Sequence, residues 1–381
     1  MKDRMSNRWM GTSAMGTPPF AAIALAIVSL FIAAQAFAGP SLSSHAGLIA
    51  GNAAPLAQND TADKPKTNAS NSPDGDALAR AIASVVKIKT RASPGARSLQ
   101  TLGAEREGSA IVVGRDNLLL TIGYLIVEAE TVEVENGDGR FVPATVVAYD
   151  HASGFGLVRA LTPLGLPPIE LGSSDRMSES DSAIFAAAGG VDAASTAVLV
   201  SKRRFAGYWE YMIDDALFTS PPRFDHSGAA LIDRNGKLVG VGSLIVADVL
   251  PPTERQKMPG NMFVPIDLLK SIMAELLATG TSAKAHRPWI GVTSHELEGR
   301  VFVQRVQRDS PAEAAGLRQG DILLSVGSEK ISKLEDFYSE LWKNRKAGDD
   351  VPLTVLQGTE VRKITVKSID RAQYVRPKSS I

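Results

Sequence analysis

Residues 109–122 read Ser-Ala-Ile-Val-Val-Gly-Arg-Asp-Asn-Leu-Leu-Leu-Thr-Ile, two apolar runs around a polar turn at residues 114–117. Apolar runs this short, bounded by Gly, Asp and Asn, are strand patterning rather than helix patterning. The pattern repeats outward. TVEVEN (131–136) and FVPATVVAY (141–149) flank Gly137-Asp138-Gly139, while GAALI (228–232) and KLVGVGSLIV (237–246) flank Asp233-Arg234-Asn235-Gly236. Asn-Gly favours a tight hairpin turn. Many short strands at this spacing argue a sandwich or barrel. The stretch from Ala77 to Phe263 is too long for one small barrel and suits two.

A helix closes this region. Leu268, Leu269, Ile272, Met273, Leu276 and Leu277 recur with helical period, and Gly280 is a natural stop. A different module follows, over residues 284–370. VFVQRV (301–306) reads as a strand. Ser310-Pro311-Ala312-Glu313 is a capping box with Pro at the first helical position, and Gly316 ends that short helix. ILLSV (322–326) is the next strand, and Ser332-Lys333-Leu334-Glu335 is a second capping box. The helix it opens carries Leu334, Phe337, Tyr338, Leu341 and Trp342 on one face, and two strands around Gly358 finish a compact α+β unit.

Composition narrows the chemistry. The 381 residues have a formal net charge of zero, which gives no footprint for nucleic acid or an anionic membrane surface. With no cysteine there is no thiol nucleophile, disulfide or thiolate metal site. The histidines His45, His151, His226, His286 and His295 are scattered, with no pair at metal-ligand spacing, so neither a metal nor a cofactor is expected.

The N-terminus reads as an export signal over residues 1–38. Lys2, Arg4 and Arg8 precede an uncharged run at residues 20–34, and Ala36-Phe37-Ala38 is a small-x-small cleavage pattern. The run is short for a spanning helix, and an uncleaved anchor is the alternative. The expected location is the periplasm. Residues 39–75 are polar and lack aromatics, so they read as a disordered tether; residues 371–381 read as a C-terminal tail.

The order of segments resembles the HtrA/Deg family of trypsin-like serine proteases. In the C-terminal unit the resemblance rests on PWIGV (288–292), VQRDSPAEAAGLRQGDILLSVGSEKI (306–331) and VPLTVLQG (351–358). In the strand-rich region it rests on the ordered set from GSAIVV (108–113) to NMFVPIDLLKSIM (261–273). It implies a mainly β fold: a chymotrypsin/trypsin-like double β-barrel at residues 76–282, then an α+β PDZ domain at residues 284–370.

The resemblance fails where the chemistry lies. The family's histidine motif here reads Leu120-Thr121-Ile122-Gly123-Tyr124-Leu125-Ile126, with Tyr124 at the histidine position. Its aspartate motif reads Asp150-His151-Ala152-Ser153-Gly154-Phe155-Gly156-Leu157, with Gly154 at the aspartate position. Its nucleophile motif reads Asp225-His226-Ser227-Gly228-Ala229, where Ser227 survives and Asp225 replaces a glycine in the oxyanion loop. A serine hydroxyl needs a base near neutrality, and a phenol with a pKa near 10 is not one. Losing the histidine of such a triad costs about 10⁶ in kcat. Asp225 is expected to strain the oxyanion loop if that position needs positive φ. Restoring His at 124 and Asp at 154 is therefore expected to give at most weak activity. A rewired His151–Ser227 pair is the enzymatic alternative: an HtrA-type serine endopeptidase with a rearranged triad.

The aromatic group Phe205, Tyr208, Trp209 and Tyr211 reads either as barrel packing or as a peptide-contacting patch. By resemblance, Trp289-Ile290-Gly291-Val292 is the loop whose backbone N–H groups hold a peptide's terminal carboxylate while the peptide adds a strand. The expected function is that of a pseudoprotease in envelope protein quality control. Its partners would be unfolded or C-terminal peptide segments, and an active HtrA-type relative. A PDZ unit that only packs on the barrel is the structural alternative.

Overall fold

The computed structural model describes residues 73–375. The export signal and nearly all of the tether lie outside the described residues. Helix α1 (Pro73–Ala83) leads into the first barrel, where sequence patterning alone pointed to tether and strand. Strand β1 (Val85–Ala92) follows, then the short α2 (Leu99–Leu102), β2 (Glu105–Val112), β3 (Leu118–Ile122) and the single turn α3 (Gly123–Ile126). Strands β4 (Ala129–Glu135), β5 (Phe141–Tyr149) and β6 (Phe155–Ala160) complete it. The six strands close in the order β1-β2-β3-β6-β5-β4. The hairpin read from residues 109–122 forms with Ile111 opposite Leu120 and Val112 opposite Leu119. β3 is buried throughout and is paired on both edges, with β2 and β6.

The second barrel is built from β7 (Ser182–Ala186), β8 (Ala194–Gly207), β9 (Tyr211–Ser220), β10 (Ala230–Ile232), β11 (Leu238–Val246) and β12 (Gly260–Pro265), closed as β10-β11-β12-β9-β8-β7. Phe185, Leu199, Leu217 and Phe263 fill its interior. One continuous buried cluster, with Ile88, Leu120, Leu157, Phe218 and Met262, runs through both barrels. Each such side chain contributes roughly 1.5–3 kcal/mol when fully buried. Helix α4 (Ile266–Thr279) buries Ile266, Leu269 and Leu276, and Gly280 ends it with its N–H on the Leu276 carbonyl.

The C-terminal unit begins with β13 (Pro288–Trp289), β14 (Val292–Leu297) and β15 (Arg300–Val306), followed by α5 (Pro311–Ala314), β16 (Ile322–Val326) and β17 (Glu329–Lys330). Helix α6 (Leu334–Trp342), β18 (Asp350–Gln357), β19 (Glu360–Lys367), β20 (Ile369–Asp370) and α7 (Arg371–Val375) finish it. The main sheet runs β14-β15-β16-β18-β19, and α6 seals it with Phe337, Tyr338 and Leu341, each fully buried. Ser310 caps α5 by accepting from the Glu313 N–H, as the capping box requires.

The second capping box is placed differently from the sequence reading. Asp336, not Glu335, reaches back, and it accepts from the N–H groups of Ser332 and Lys333. Helix α6 therefore starts one residue later than Ser332 as N-cap implies. Residues 371–375 are also not a loose tail. Tyr374 lies 4.4 Å from the Trp289 ring, the Arg97 guanidinium sits 4.2 Å over Tyr374, and the Tyr374 hydroxyl donates to the Arg308 carbonyl.

Candidate functional site: a tyrosine–serine cleft and a PDZ loop held by Glu210

Tyr124 leaves the end of β3 on the one-turn α3, and Ser227 lies on the loop before β10. Two backbone ties set their spacing: the Ser109 N–H donates to the Ser227 carbonyl at 2.8 Å, and the Thr121 hydroxyl donates to the Ser109 carbonyl at 2.7 Å. The Tyr124 oxygen then lies 2.9 Å from Ser227 Oγ and 2.7 Å from the Ser243 carbonyl. A phenol has one proton, and a carbonyl can only accept. Tyr124 therefore donates to Ser243, and Ser227 donates to Tyr124. Burial raises the Tyr124 phenol's pKa well above its ordinary value, only partly opposed by Ser227, so it stays protonated. A neutral phenol in this position holds the serine proton in place without taking it.

The aspartate position is closed as well. Gly154 has φ +84°, and a Cβ built there would lie 3.0 Å from the Tyr211 oxygen, which donates to the Ser153 carbonyl at 2.7 Å. The Tyr211 phenol thus occupies the space a side chain at 154 would enter. Asp150 is fully buried and spends its carboxylate on structure. One oxygen accepts from the N–H and hydroxyl of Ser153, the other from the N–H and hydroxyl of Ser282.

No rewired pair forms. His151 is buried against Tyr149, with ring centroids 4.3 Å apart, and its Nδ1 has no hydrogen-bond partner. Burial first, then the positive charges of Arg371, Arg287 and His286, push its pKa well below that of an ordinary imidazole. His226 turns its Nδ1 to the Arg223 carbonyl, not to Ser227.

The expectation of a strained oxyanion loop is corrected: Asp225 is not among the residues with positive φ. The Arg223 guanidinium grips its carboxylate at 2.9 and 2.5 Å. Burial works against that carboxylate, but Arg223 keeps it below the usual carboxylate range.

The predicted carboxylate loop is present and filled from within. Glu210, at the tip of the β8–β9 hairpin, is 3% exposed. One of its oxygens accepts from Gly291 N–H at 2.7 Å and Val292 N–H at 2.9 Å, and the other accepts from Ile290 N–H at 3.0 Å. Two residues along β14, the Ser294 N–H donates to the Tyr208 carbonyl at 2.8 Å. Tyr338 on α6 donates to the Gly207 carbonyl at 2.6 Å and accepts from the Glu210 N–H at 3.1 Å. Ala206 and Met212 pack on the PDZ core. Gly291 has φ +88°, and a Cβ there would strike Ser310 and Trp289, so the loop's N–H groups converge only with glycine in place. Burial raises the Glu210 carboxyl's pKa, opposed by its three backbone donors.

Sequence reasoning placed the loop and the aromatic group but missed Glu210, Tyr338 and Tyr374. The available signal was one acid set between Tyr208-Trp209 and Tyr211 at a hairpin tip. Between Ser227 and the PDZ unit lies a cleft of about 450 Å³, walled by Tyr124, Trp209, Trp289 and Tyr374 and edged by Arg97 and Arg371. Among the described residues no cluster of His, Asp or Glu could hold a metal ion.

Comparisons with known proteins agree with this architecture. The family described as "Trypsin-like peptidase domain" matches residues 108–241, and that described as "PDZ domain" matches residues 288–368. "Serine protease HTRA2, mitochondrial" from Drosophila pseudoobscura pseudoobscura is 26% identical over 301 residues, 69% of this chain and 66% of the relative. "Probable periplasmic serine protease do/HhoA-like" from Haemophilus influenzae is 26% identical over 283 residues, 68% of this chain and 57% of the relative. This chain therefore spans less than two thirds of either relative's length. The solved structure "HtrA-type protease AlgW with decapeptide" is 20% identical, with a TM-score of 0.48, over 80% of this chain and 99% of that one. Fold and site define a trypsin-like double barrel followed by a PDZ domain. The chain carries these two domains in that order and is similar to the HtrA-type relatives.

Proposed function

We propose that this HtrA-type protein is catalytically silent and works by binding unfolded or C-terminal peptide segments through its PDZ domain, in the cell envelope. The observation that carries the reading is the Tyr124–Ser227–Ser243 chain: among the described residues the Ser227 hydroxyl is bonded to a protonated phenol whose proton is already given to a carbonyl. The intact loop at Ile290-Gly291-Val292 supports the binding half, since three converging N–H groups suit a carboxylate. Relatives described as periplasmic serine proteases, together with the basic-apolar-small N-terminal pattern, support the envelope location. An active relative remains a natural partner, because a silent homologue can present substrates it does not cut.

Two measurements test this on the purified chain. Casein should survive prolonged incubation equally with the wild type and with Ser227→Ala. A peptide library should yield ligands with free C-termini whose binding weakens on amidation. Ser227-dependent casein digestion overturns the first half; binding indifferent to amidation overturns the second.

A further inference from the structure

We propose that the PDZ groove holds an internal ligand: residues 207–210 of the β8–β9 hairpin occupy it as a substitute for a chain terminus, and an outside peptide carboxylate enters only by displacing Glu210. The proposal rests on the reading of this domain as a peptide binder.

Ordinary domain packing would bury apolar area without regard to register. Here the register is that of a bound peptide. Residues 208–210 run toward the carboxylate loop, antiparallel to β14. The carboxylate of Glu210 is held by three successive N–H groups ending at Val292. The residue two before it, Tyr208, offers its carbonyl to the residue two beyond Val292, Ser294. Strand addition gives this spacing when the last residue of a peptide reaches such a loop. The side-chain carboxylate of Glu210 does what a terminal carboxylate would do, and this allows the hairpin to continue into β9.

Backbone conformation is compatible with this placement. Glu210 has φ +55°, the left-handed region that a glutamate seldom adopts. Strain of this kind persists only where surrounding contacts over-determine it. The contacts are the three loop N–H groups and Tyr338, which bonds both Gly207 and the Glu210 N–H. The three-residue loop between Gly207 and Tyr211 itself calls for a left-handed last residue, so the turn aims the Glu210 carboxylate and the loop N–H groups hold it there.

The latch also joins the two units. Tyr211 follows Glu210 directly, and its phenol bonds the Ser153 carbonyl beside Gly154. Withdrawal of Glu210 from the loop therefore pulls on the contact that fills the former aspartate position. Because the hairpin is tethered, its effective concentration at the groove is high, and a free peptide competes at a disadvantage.

The test uses the whole chain and a fluorescein-labelled peptide, Arg-Arg-Phe-Ala-Gly-Tyr-Trp-Val, which copies residues 203–209 and ends in a free carboxylate. Its C-terminal amide is the control. Glu210→Gln keeps the volume and removes the charge, and it should bind the acid peptide at least about tenfold more tightly than the wild type. In the same variant, the amides of Ile290, Gly291 and Val292 should exchange hydrogen at least about tenfold faster. In the wild type, saturating peptide should speed exchange of the Glu210 amide, which covers the case in which the variant folds poorly. Equal peptide affinity in wild type and variant with unchanged exchange at residues 290–292 overturns the latch and leaves peptide binding standing. Peptide binding to the wild type with no change at Glu210 overturns it too. Faster exchange at residues 290–292 in Glu210→Gln, with no form binding peptide, supports the latch and sinks the peptide-binding reading instead.

Discussion

The Tyr124 oxygen lies 2.9 Å from Ser227 Oγ, at the place where a trypsin-like enzyme carries its general base. The contact has the length of a catalytic hydrogen bond but opposite chemistry. The phenol proton is committed to Ser243, and burial keeps the phenol from ionising. Ser227 should therefore react with a fluorophosphonate probe no faster than the Ser227→Ala variant does. Tyr124→Phe should leave labelling at that background and cost about 1 kcal/mol of stability, the usual net worth of a hydrogen bond. Rapid labelling that depends on Ser227 would end the pseudoprotease reading.

Rebuilding the triad by sequence should fail for a reason visible only in three dimensions. Gly154→Asp places a non-glycine residue at φ +84° and drives its Cβ toward the Tyr211 oxygen. Left-handed backbone costs roughly 1–2 kcal/mol and overpacking roughly 1–3 kcal/mol. Tyr124→His with Gly154→Asp should then melt well below the wild type and leave casein intact. A double variant of wild-type stability that digests casein contradicts this.

Much of the fold was legible in the sequence because its signals are local. The turn at residues 114–117, the turn at residues 233–236 and helix α4 each declare themselves within a few residues and form as read, although the buried face of α4 is narrower than its apolar stripe: Leu269 and Leu276 are buried and Leu277 is exposed. The meeting of residues 124 and 227 was legible too, since both sit at fixed places in motifs, and their side chains lie 2.9 Å apart. What stayed hidden is non-local. Asp225 looked like a source of strain because a sequence does not show which backbone region a loop residue occupies, and this one is not left-handed. Glu210 drew no reading at all, because its partners at residues 290–292 lie some eighty positions away. Tyr211 read as packing or as part of a peptide-contacting patch, and its closeness to Gly154 stayed hidden for the same reason.

Asp150 retains the first letter of the family's aspartate motif but serves architecture. It is fully buried, and its two oxygens accept four hydrogen bonds that tie the Ser153 turn to Ser282, at the entrance to the PDZ unit. Asp150→Ala strands those donors. The expected loss is at least about 3 kcal/mol, since each unsatisfied buried donor costs roughly 1–3 kcal/mol. Asp150→Asn, which keeps one carbonyl oxygen, should lose less. Urea unfolding checks both, and an alanine variant within about 1 kcal/mol of the wild type would show the network to be dispensable.

The acid limit of the barrel should depend on Asp267. Its carboxylate sits in the first turn of α4, pairs with Lys270, and accepts from the hydroxyls of Ser173 and Ser174 and the Asp175 N–H. Burial opposes the charge, but these partners outweigh it and hold the carboxyl far below its ordinary range. The sign follows from linkage. A carboxyl depressed in the folded state adds stability that is complete above its unfolded pKa, about 3.9, and is lost as pH falls toward the folded value. The helix N-terminus favours the charge as well. Asp267→Asn should therefore cost about 1–2 kcal/mol at pH 7. That gap should narrow steadily below about pH 4, as the wild type loses what the variant already lacks. Thermal unfolding of both proteins between pH 7 and pH 2.5 measures it; a gap that stays constant with pH would mean the charge on Asp267 contributes nothing.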